Sequence, residues 1–306
     1  MPTRSDSERT VTVLIPCRDG AGALERCLRS VAAQRAQFNL QILVVDDGSR
    51  DSSAAIAREL GAQVHSIEPA GRAAALNAGL EHAKGDPILF TDADCEVPPD
   101  WAAKLCEHLD QRPELHGVGG NLWPSARNPS ELSKLLPYLD EFASEQELDP
   151  AERRTALNAN NMALRASALR NVGGFDAGLL HGADADLTRR MLAAGSRLMR
   201  VLQPRVRHLK RDGLSGLCRT SYRRGSTVAV HLKSAEFGWT DVLRGFVQPL
   251  SFLVRGYAAL PRLRGLLPDA PFGSALLAPW AGCCARMCEA LGRLRYFVRY
   301  HRGSGR

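Results

Sequence analysis

The chain has 306 residues, enough for one large α/β domain and an additional region, and its 44% hydrophobic and 24% charged residues are ordinary for a globular protein. The eight cysteines form no C-x-x-C pair, which argues against a structural zinc site, and residues 1–9 lack the apolar core of a signal peptide. The net charge of +7 is unevenly divided: residues 197–306 hold 20 Lys+Arg and 5 Asp+Glu, a net of +15, and residues 1–196 carry the remaining −8. We therefore expect reduced cysteines, a cytoplasmic location and an anionic partner for the C-terminal third.

Strands and helices alternate through the first part of the chain. The predicted elements are a strand over residues 11–15 that Pro16 stops, a helix over 21–34, a strand over 40–45, a helix over 54–60, a strand over 63–67, a helix over 73–83 and a strand over 88–91. This alternation predicts βαβ units and a parallel sheet with right-handed crossovers. Ligands of such open sheets bind beyond the carboxyl ends of the strands.

Three polar loops follow predicted strands, at residues 16–20, 46–47 and 92–94, and so are expected at that edge of the sheet. Residues 46–53 have the composition of a turn and a helix cap. Asp92 and Asp94 leave their strand together, and two carboxylates there suit a hard divalent cation that also binds substrate phosphates. A solvated turn explains such a pair equally well. The sequence has neither G-x-G-x-x-G nor G-x-x-x-x-G-K-[ST], so a nucleotide would be bound by carboxylates and loops instead of a glycine cradle.

Six segments resemble, in order and spacing, the motifs of the inverting family 2 glycosyltransferases of the GT-A fold. They are VTVLIPCRD at 11–19, LVVDDGSRDS at 43–52, GRAAALNAGL at 71–80, FTDADCE at 90–96, NVGGFD at 171–176 and GADADLTRRMLAAG at 182–195. The resemblance implies an α/β GT-A domain over residues 1–210, with a Rossmann-like, mostly parallel sheet flanked by helices. A basic helical region would follow over residues 211–306.

The resemblance also implies a metal-dependent reaction on a nucleotide-diphosphate sugar. Asp94 and Asp92 would hold Mn²⁺ or Mg²⁺ against the diphosphate, and His208 lies where related enzymes carry a histidine near the metal. Asp184 is at the position of the base that takes the proton of the acceptor hydroxyl, and a helix start would favour its ionised form. The processive enzymes' Q-x-x-R-W has no clear copy, so we expect transfer of a single sugar with inversion.

The remaining predicted site residues bind the donor or acceptor. They are Pro16, Arg18, Asp46, Asp47, Arg72, Asn77 and Asn161, with Arg72 at the family's lysine position. Arg18 and Arg72 would contact phosphate as forked donors, and Asp46 or Asp47 would accept from the base or ribose. Structural alternatives stand beside these roles: Asp46 and Asp47 can cap a turn, Asp184 or Asp186 can cap a helix, His208 can be a structural histidine, and Asn77 can make a local hydrogen bond. Asn160 and Asn161 can likewise form only a turn, and Trp101 and Trp123 either stack on a sugar or pack in the core.

One departure from the family pattern supports a rival hypothesis. Ala183 replaces the glutamate of the G-E-D-x-D motif, which leaves open a catalytically impaired, glycosyltransferase-like binding protein. A phosphatase or phosphotransferase with Asp92 as nucleophile is a further alternative. Cys95 and the distance of Asp92 from the N-terminus fit that class poorly.

The C-terminal region combines apolar segments with arginine and proline. Its longest uncharged run beyond Asp269, residues 270–285, has 16 residues, short of the ~20 that span a bilayer. Basic and apolar helix faces suit the membrane interface, so we expect peripheral association at the inner face of the cell membrane, and no nucleic-acid partner. The acceptor would be a saccharide or lipid-linked. A helical subdomain packed on the core, or a dimer interface, are the alternatives.

Overall fold

A computed structural model of the protein describes residues 9–123, 128–136, 145–151, 156–179, 182–209, 213–231, 239–267 and 269–303. The strands are β1 (Thr10–Cys17), β2 (Asn39–Asp47), β3 (Gln63–Ile67), β4 (Ile88–Phe90), β5 (Cys95–Glu96), β6 (Gly117–Trp123), β7 (Gln146–Glu147), β8 (Met162–Leu164) and β9 (Leu198–His208). The helices are α1 (Ala21–Ala32), α2 (Ser53–Glu59), α3 (Arg72–His82), α4 (Trp101–Gln111), α5 (Pro129–Leu135), α6 (Ala166–Asn171), α7 (Ala183–Ala193), α8 (Leu214–His231), α9 (Trp239–Ala258), α10 (Leu260–Leu266) and α11 (Phe272–Gly303).

The described strands form one sheet in the order β3-β2-β1-β4-β8-β6-β9-β5, with β7 paired to β9. The pairs among β1 to β4 and the β6–β9 pair are parallel, whereas β8 runs antiparallel between β4 and β6. The predicted α/β class and mostly parallel sheet are confirmed. All of β1 except Thr10 is buried, because helices cover both faces of the sheet.

The structure corrects the end of the first strand, which runs through Pro16 to Cys17. Strand β4 pairs only with residues 12–14 of β1, and the last bond on that side is from Thr91 N to Leu14 O. The backbone nitrogen of Pro16 faces the same side of β1 as those of Thr12 and Leu14, but β4 has already ended there. No neighbouring strand therefore requires the N–H that proline lacks.

Two layers of helices enclose the sheet. Apolar residues of α1, α2 and α4 pack in one core cluster, and those of α3, α6 and α7 pack in the other. Helix α3 approaches β1 closely, because a Cβ at Gly79 would lie 2.1 Å from Leu14 Cδ1. This packing fixes the start of α3, which carries Arg72, against the carboxyl ends of β1 and β2.

The chain divides into two compact units. The first contains residues Met1–Trp123 and Phe142–Lys210, and the second contains Pro124–Glu141 and Arg211–Arg306. In the second unit α11 packs against α8 and α9, and a Cβ at Gly282 would lie 2.1 Å from the Phe252 ring. None of the described helices is both long enough and apolar enough to cross a membrane.

Candidate active site

The loops after β1 and β2 are joined by hydrogen bonds between side chains of one and backbone of the other. The bonds run from Asp19 N to Ser49 Oγ (3.0 Å), Gly20 N to Ser53 Oγ (2.9 Å), Ala21 N to Asp51 Oδ2 (3.0 Å) and Arg50 N to Asp19 Oδ1 (2.7 Å). The sequence indicated turn and helix-cap chemistry for residues 46–53. The turn chemistry is confirmed, since Asp51 Oδ1 accepts from Ser53 N at 3.0 Å, whereas the helix cap Ser52 makes no side-chain cap bond. The side chains of Ser49, Asp51 and Ser53 also satisfy the N–H groups at the start of α1.

Asp46 and Asp47 lie at the end of β2 and are 5% and 3% exposed. Asp47 accepts hydrogen bonds from Ala70 N (2.6 Å) and Gly71 N (3.0 Å), and Asp46 accepts one from Ser49 N (3.1 Å). Both carboxylates therefore shape the loops around the predicted nucleoside position. Arg18 Nη1 lies 3.6 Å from Asp47 Oδ2, which places a guanidinium beside this buried acid.

A cavity of about 660 Å³ opens where these loops meet the start of α3 and the loop after β4. It brings together six of the predicted site residues, namely Pro16, Arg18, Asp47, Arg72, Asp92 and Asp94. The cavity thus lies at the carboxyl ends of β1, β2 and β4, as expected for an open parallel sheet. Cys17, Asp19, Gly20 and Ala93 also line it, and sequence reasoning had not assigned them individually.

Arg72 and Asp92 form an ion pair inside the cavity. The Nε and Nη2 atoms of Arg72 lie 3.0 and 2.7 Å from Asp92 Oδ1. Burial is the largest single effect and lowers the pKa of the Arg72 guanidinium, but the charge and hydrogen bonds of Asp92 together with the charge of Asp184 raise it more, so its pKa is above the usual value. Burial raises the pKa of the Asp92 carboxyl, against the opposing effect of Arg72. The pair fixes the Arg72 guanidinium at the cavity wall, with its charge balanced by the Asp92 carboxylate.

Asp94, which lines the cavity, lies beside His208. His208 Nε2 lies 3.4 Å from Asp94 Oδ2. Strand β5 pairs with the end of β9, where Cys95 is opposite His208, and Leu209 N donates to Asp94 O at 2.6 Å. The sheet register therefore fixes this carboxylate and imidazole together. Within the described ranges, no three His, Cys, Asp or Glu side chains form a group that could hold a metal ion.

Asp184 lies in the first turn of α7, after Gly182 in the left-handed conformation. Its Oδ1 accepts from Ala185 N at 3.0 Å, and its Oδ2 lies 3.5 Å from Ala159 N. Asp184 does not line the cavity, but its charge acts on both Arg72 and Asp92. The preceding Ala183 is 8% exposed and packs in the core, so a glutamate there would have to enter an apolar cluster or move the helix start.

The structure corrects the predicted substrate contact of Asn77. Its Nδ2 donates to Phe175 O at 2.7 Å, and its Oδ1 accepts from Phe175 N at 2.8 Å. The amide therefore fastens α3 to the G-G-F-D turn, a structural role that differs from the predicted local hydrogen bond because its partner is distant along the chain.

Asn161 is likewise corrected to a structural role. The residue is fully buried, its Oδ1 accepts from Trp101 Nε1 at 2.9 Å, and its Nδ2 donates to Asn121 O at 2.9 Å and Pro204 O at 2.8 Å. Both donor hydrogens and the carbonyl are used within the fold. Trp101 is fully buried as well, so it packs in the core and does not stack on a sugar.

Sequence comparison connects this site to a known family. The model of glycosyl transferase family 2 matches residues 12–162. Glycosyltransferase AglE of Haloferax volcanii is 27% identical over 94% of this chain and 96% of its own length. An N-acetylglucosaminyltransferase of Bradyrhizobium elkanii is 30% identical over 41% of this chain and 72% of its own. An undecaprenyl-phosphate 4-deoxy-4-formamido-L-arabinose transferase of Pseudomonas fluorescens is 34% identical over 41% of this chain and 40% of its own.

Solved structures show the same fold. A mannosyltransferase from Pyrobaculum calidifontis, solved with GDP-Man and Mn²⁺, has a TM-score of 0.62 at 20% identity and covers 95% of this chain and 88% of its own. TarS 1–349 of S. aureus, solved with UDP-GlcNAc, has a TM-score of 0.55 at 17% identity and covers 96% of this chain and 92% of its own. With the sheet, the cavity and the family match in agreement, the chain belongs to glycosyl transferase family 2 and is a glycosyltransferase of the GT-A fold that uses a nucleotide-sugar donor.

Proposed function

We propose that the protein transfers a single sugar from a nucleotide-diphosphate donor to an acceptor hydroxyl, with inversion and with a divalent metal ion. The supporting observation is the 660 Å³ cavity, in which Arg18 and Arg72 lie with the carboxylates of Asp47, Asp92 and Asp94. Guanidinium groups suit the diphosphate, and buried carboxylates suit the N–H and hydroxyl groups of the nucleoside. We place this chemistry in residues 1–210.

Asp94 and His208 are the residues that we propose as protein ligands of the metal, whereas Asp92, which the sequence predicted as a ligand with Asp94, is engaged by Arg72 through its Oδ1. A carboxylate oxygen and an imidazole nitrogen 3.4 Å apart fit Mn²⁺, which accepts both donor types, better than Mg²⁺, which prefers oxygen alone. Two protein ligands leave the other coordination positions to diphosphate oxygens and water. When bound, the metal would neutralise the leaving diphosphate, while Asp92 keeps Arg72 oriented toward the same phosphates.

We propose Asp184 as the general base. Inversion by one displacement needs a base on the acceptor side, and the carboxylate of Asp184 lies in the first turn of α7, outside the lining of the cavity. Ala183 packs in the core while Asp184 keeps its contact to Ala159 N. The alanine therefore does not displace the proposed base, which argues against an impaired enzyme. An anomeric-proton NMR assay of the product tests the stereochemistry, and retention of configuration would contradict the single displacement.

Donor binding is the experiment that tests the proposed site. Thermal shift against UDP-, GDP-, dTDP- and CDP-sugars, each with and without Mn²⁺, should show a metal-dependent rise in melting temperature for one nucleotide. Asp94→Asn should abolish the metal dependence. Asp100→Asn, which changes a carboxylate that is half exposed and paired with Lys104, is the matched control and should bind like the wild type. A rise that is unchanged without metal and in Asp94→Asn would contradict the metal assignment.

We further propose that residues 211–306 bind a membrane surface and that the acceptor is lipid-linked. Helix α9 exposes large apolar side chains at helical spacing, namely Leu243, Val247, Leu250, Val254 and Tyr257, each 41–69% exposed. Arg255, Arg262 and Arg264 are exposed in the same unit, in a region with a net charge of +15 from residue 197 onward. An apolar face with nearby arginines suits an anionic bilayer interface. The relative named for undecaprenyl phosphate supports a lipid-linked acceptor.

Vesicle sedimentation tests this membrane surface. The protein should sediment with phosphatidylcholine vesicles that contain phosphatidylglycerol, and Leu250→Asp should reduce the bound fraction. Gln248→Asp is the control, since it adds the same charge at an exposed position of the same helix away from the apolar row. Equal binding of both variants and the wild type would contradict insertion of the α9 face.

A further inference from the structure

Three polar side-chain atoms near the end of β6 are buried without a hydrogen-bond partner among the described residues. They are Asn121 Nδ2, Asn160 Oδ1 and Arg205 Nε. Asn121 is only 5% exposed. Buried polar groups in proteins are nearly always hydrogen-bonded, so three such atoms on neighbouring segments indicate a ligand or internal water as their partner.

The backbone places these three residues on adjacent segments of the first unit. Asn121 and Arg205 are opposite each other in the β6–β9 pair, just after a bulge in β6. Asn160 precedes Asn161, which accepts from Gly120 N through its backbone oxygen and donates to Asn121 O through its side chain. The structural role of Asn161 thus positions its neighbour Asn160 beside the strand that carries Asn121.

The three atoms have a mixed hydrogen-bonding character. Asn121 Nδ2 and Arg205 Nε donate, whereas Asn160 Oδ1 accepts. A phosphate or carboxylate offers acceptors only and would face the Asn160 carbonyl unfavourably. A hydroxyl group both donates and accepts, so neighbouring hydroxyls on a pyranose ring can satisfy all three atoms.

Two further contacts support a sugar at this place. The Arg205 guanidinium lies 4.2 Å from the Trp123 ring centre, and the half-buried Trp123 provides an apolar ring for the C–H face of a sugar. Ala159, next to Asn160, is the residue whose N–H lies 3.5 Å from the proposed base Asp184. The same short loop therefore carries Asn160 and contacts the base.

We propose that Asn121, Asn160 and Arg205 form a seat for the hydroxyl groups of a sugar, either that of the donor or that of the acceptor, beside Asp184. The inference rests on the proposed function for its place in the reaction, but it makes a separate claim about sugar hydroxyls as opposed to phosphate. Asn160, Trp123 and Arg205 are only partly buried, so small side-chain rotations can open the seat to a ligand.

Calorimetry and NMR with separate probes test the seat. UDP and GDP report on the phosphate site, UDP- and GDP-hexoses add the donor sugar, and saturation transfer to methyl hexosides reports on a sugar without a nucleotide. Asn160→Ala and Arg205→Lys are the test variants. Asn158→Ala is the control, since Asn158 is an exposed residue of the same loop whose backbone bond from Asn161 N remains. A melting curve for each variant confirms that it folds.

Loss of one hydrogen bond to an uncharged ligand group should weaken sugar binding about 3- to 10-fold and leave UDP and GDP affinity unchanged. Weaker binding of the nucleotide hexose alone assigns the seat to the donor, and loss of methyl-hexoside saturation transfer alone assigns it to the acceptor. Wild-type behaviour of both test variants with every sugar probe would overturn the seat and leave internal water as the partner. If the wild type binds no nucleotide or nucleotide hexose, the proposed function fails, but the methyl hexosides still test the seat. Loss of methyl-hexoside binding in the test variants would then support the seat, and no methyl-hexoside binding to the wild type would refute it.

Discussion

Arg190 should fix the position of the proposed base, and replacing it offers a sharp test of this architecture. Its Nε donates to Asp186 Oδ2 (2.7 Å), its Nη1 to Val172 O (2.6 Å) and its Nη2 to Gly174 O (2.7 Å). These bonds tie α7, which begins beside Asp184, to the G-G-F-D turn. Asn77 fastens this turn to α3, so a continuous series of contacts connects the proposed base with α3, the helix that carries Arg72.

The expected magnitude follows from these bonds. Arg190→Ala removes two charge-assisted bonds to backbone carbonyls and a partly buried ion pair, which together should cost about 3 kcal/mol of unfolding free energy. The side chain of the neighbouring Arg189 is 71% exposed and pairs with Asp186 Oδ1 at 2.6 Å. Arg189→Ala is therefore the matched control and should cost about 0–1 kcal/mol.

Urea unfolding measures both stabilities, and donor turnover measures the position of the base. Arg190→Lys keeps the charge but cannot make three bonds in a plane, so its stability should lie between the wild type and Arg190→Ala. In both Arg190 variants kcat should fall while the affinity for the nucleoside diphosphate is retained, because the cavity residues remain in place. Equal stability of Arg190→Ala and Arg189→Ala would refute the clamp, and unchanged kcat would show that it does not position the base.

Two further predictions concern stability alone. A Cβ at Gly85 would lie 2.5 Å from the backbone N of Thr12, so Gly85→Ala should lower the melting temperature, whereas Gly22→Ala in α1, with open space around its Cβ, should leave it unchanged or raise it slightly; the reverse order in thermal melts would contradict the packing described. Burial raises the pKa of Asp186, but hydrogen bonds from Arg190 and its neighbour lower it more, so the folded-state pKa is below the usual value. The stability that the ionised Asp186 contributes is complete above the unfolded-state pKa of about 3.9 and is lost as the pH falls through the lower folded-state value. Urea titrations should therefore show Asp186→Asn less stable than the wild type at pH 7, and this difference in stability should shrink below about pH 4. A difference that does not depend on pH would count against the ion pair.

Local sequence patterns predict the carboxyl-end loops well, because apolar runs followed by polar residues locate strand ends. Asp92 and Asp94 were placed at the cavity in this way, since their position depends on the residues just before them. The roles of Asn77 and Asn161 could not be predicted from local patterns, because their partners Phe175 and Asn121 are 98 and 40 residues away along the chain. An asparagine has the same pattern of neighbours whether its amide meets a ligand or a distant backbone.

The antiparallel strand β8 shows a second limit. Its three residues are fully buried and carry no alternation, so nothing in the local pattern separates them from a helix segment or gives their direction. Pro16 shows the same limit from the other side: a proline ends a strand only where a neighbouring strand requires an N–H at that position, and the local sequence does not show whether such a neighbour is present. Sheet order, which the sequence did not provide, decides both cases.

The hydrogen bonds that join residues 19–21 to residues 49–53 have a consequence for protein engineering. Side chains of each loop bind backbone groups of the other. If one loop is replaced by that of a relative whose other loop differs in sequence, these bonds are lost and neither loop keeps its shape. Redirecting the enzyme to another nucleotide by loop transplantation should therefore require both segments to be moved as one cassette, and chimeras with only one of them should lose the cavity wall before they change preference.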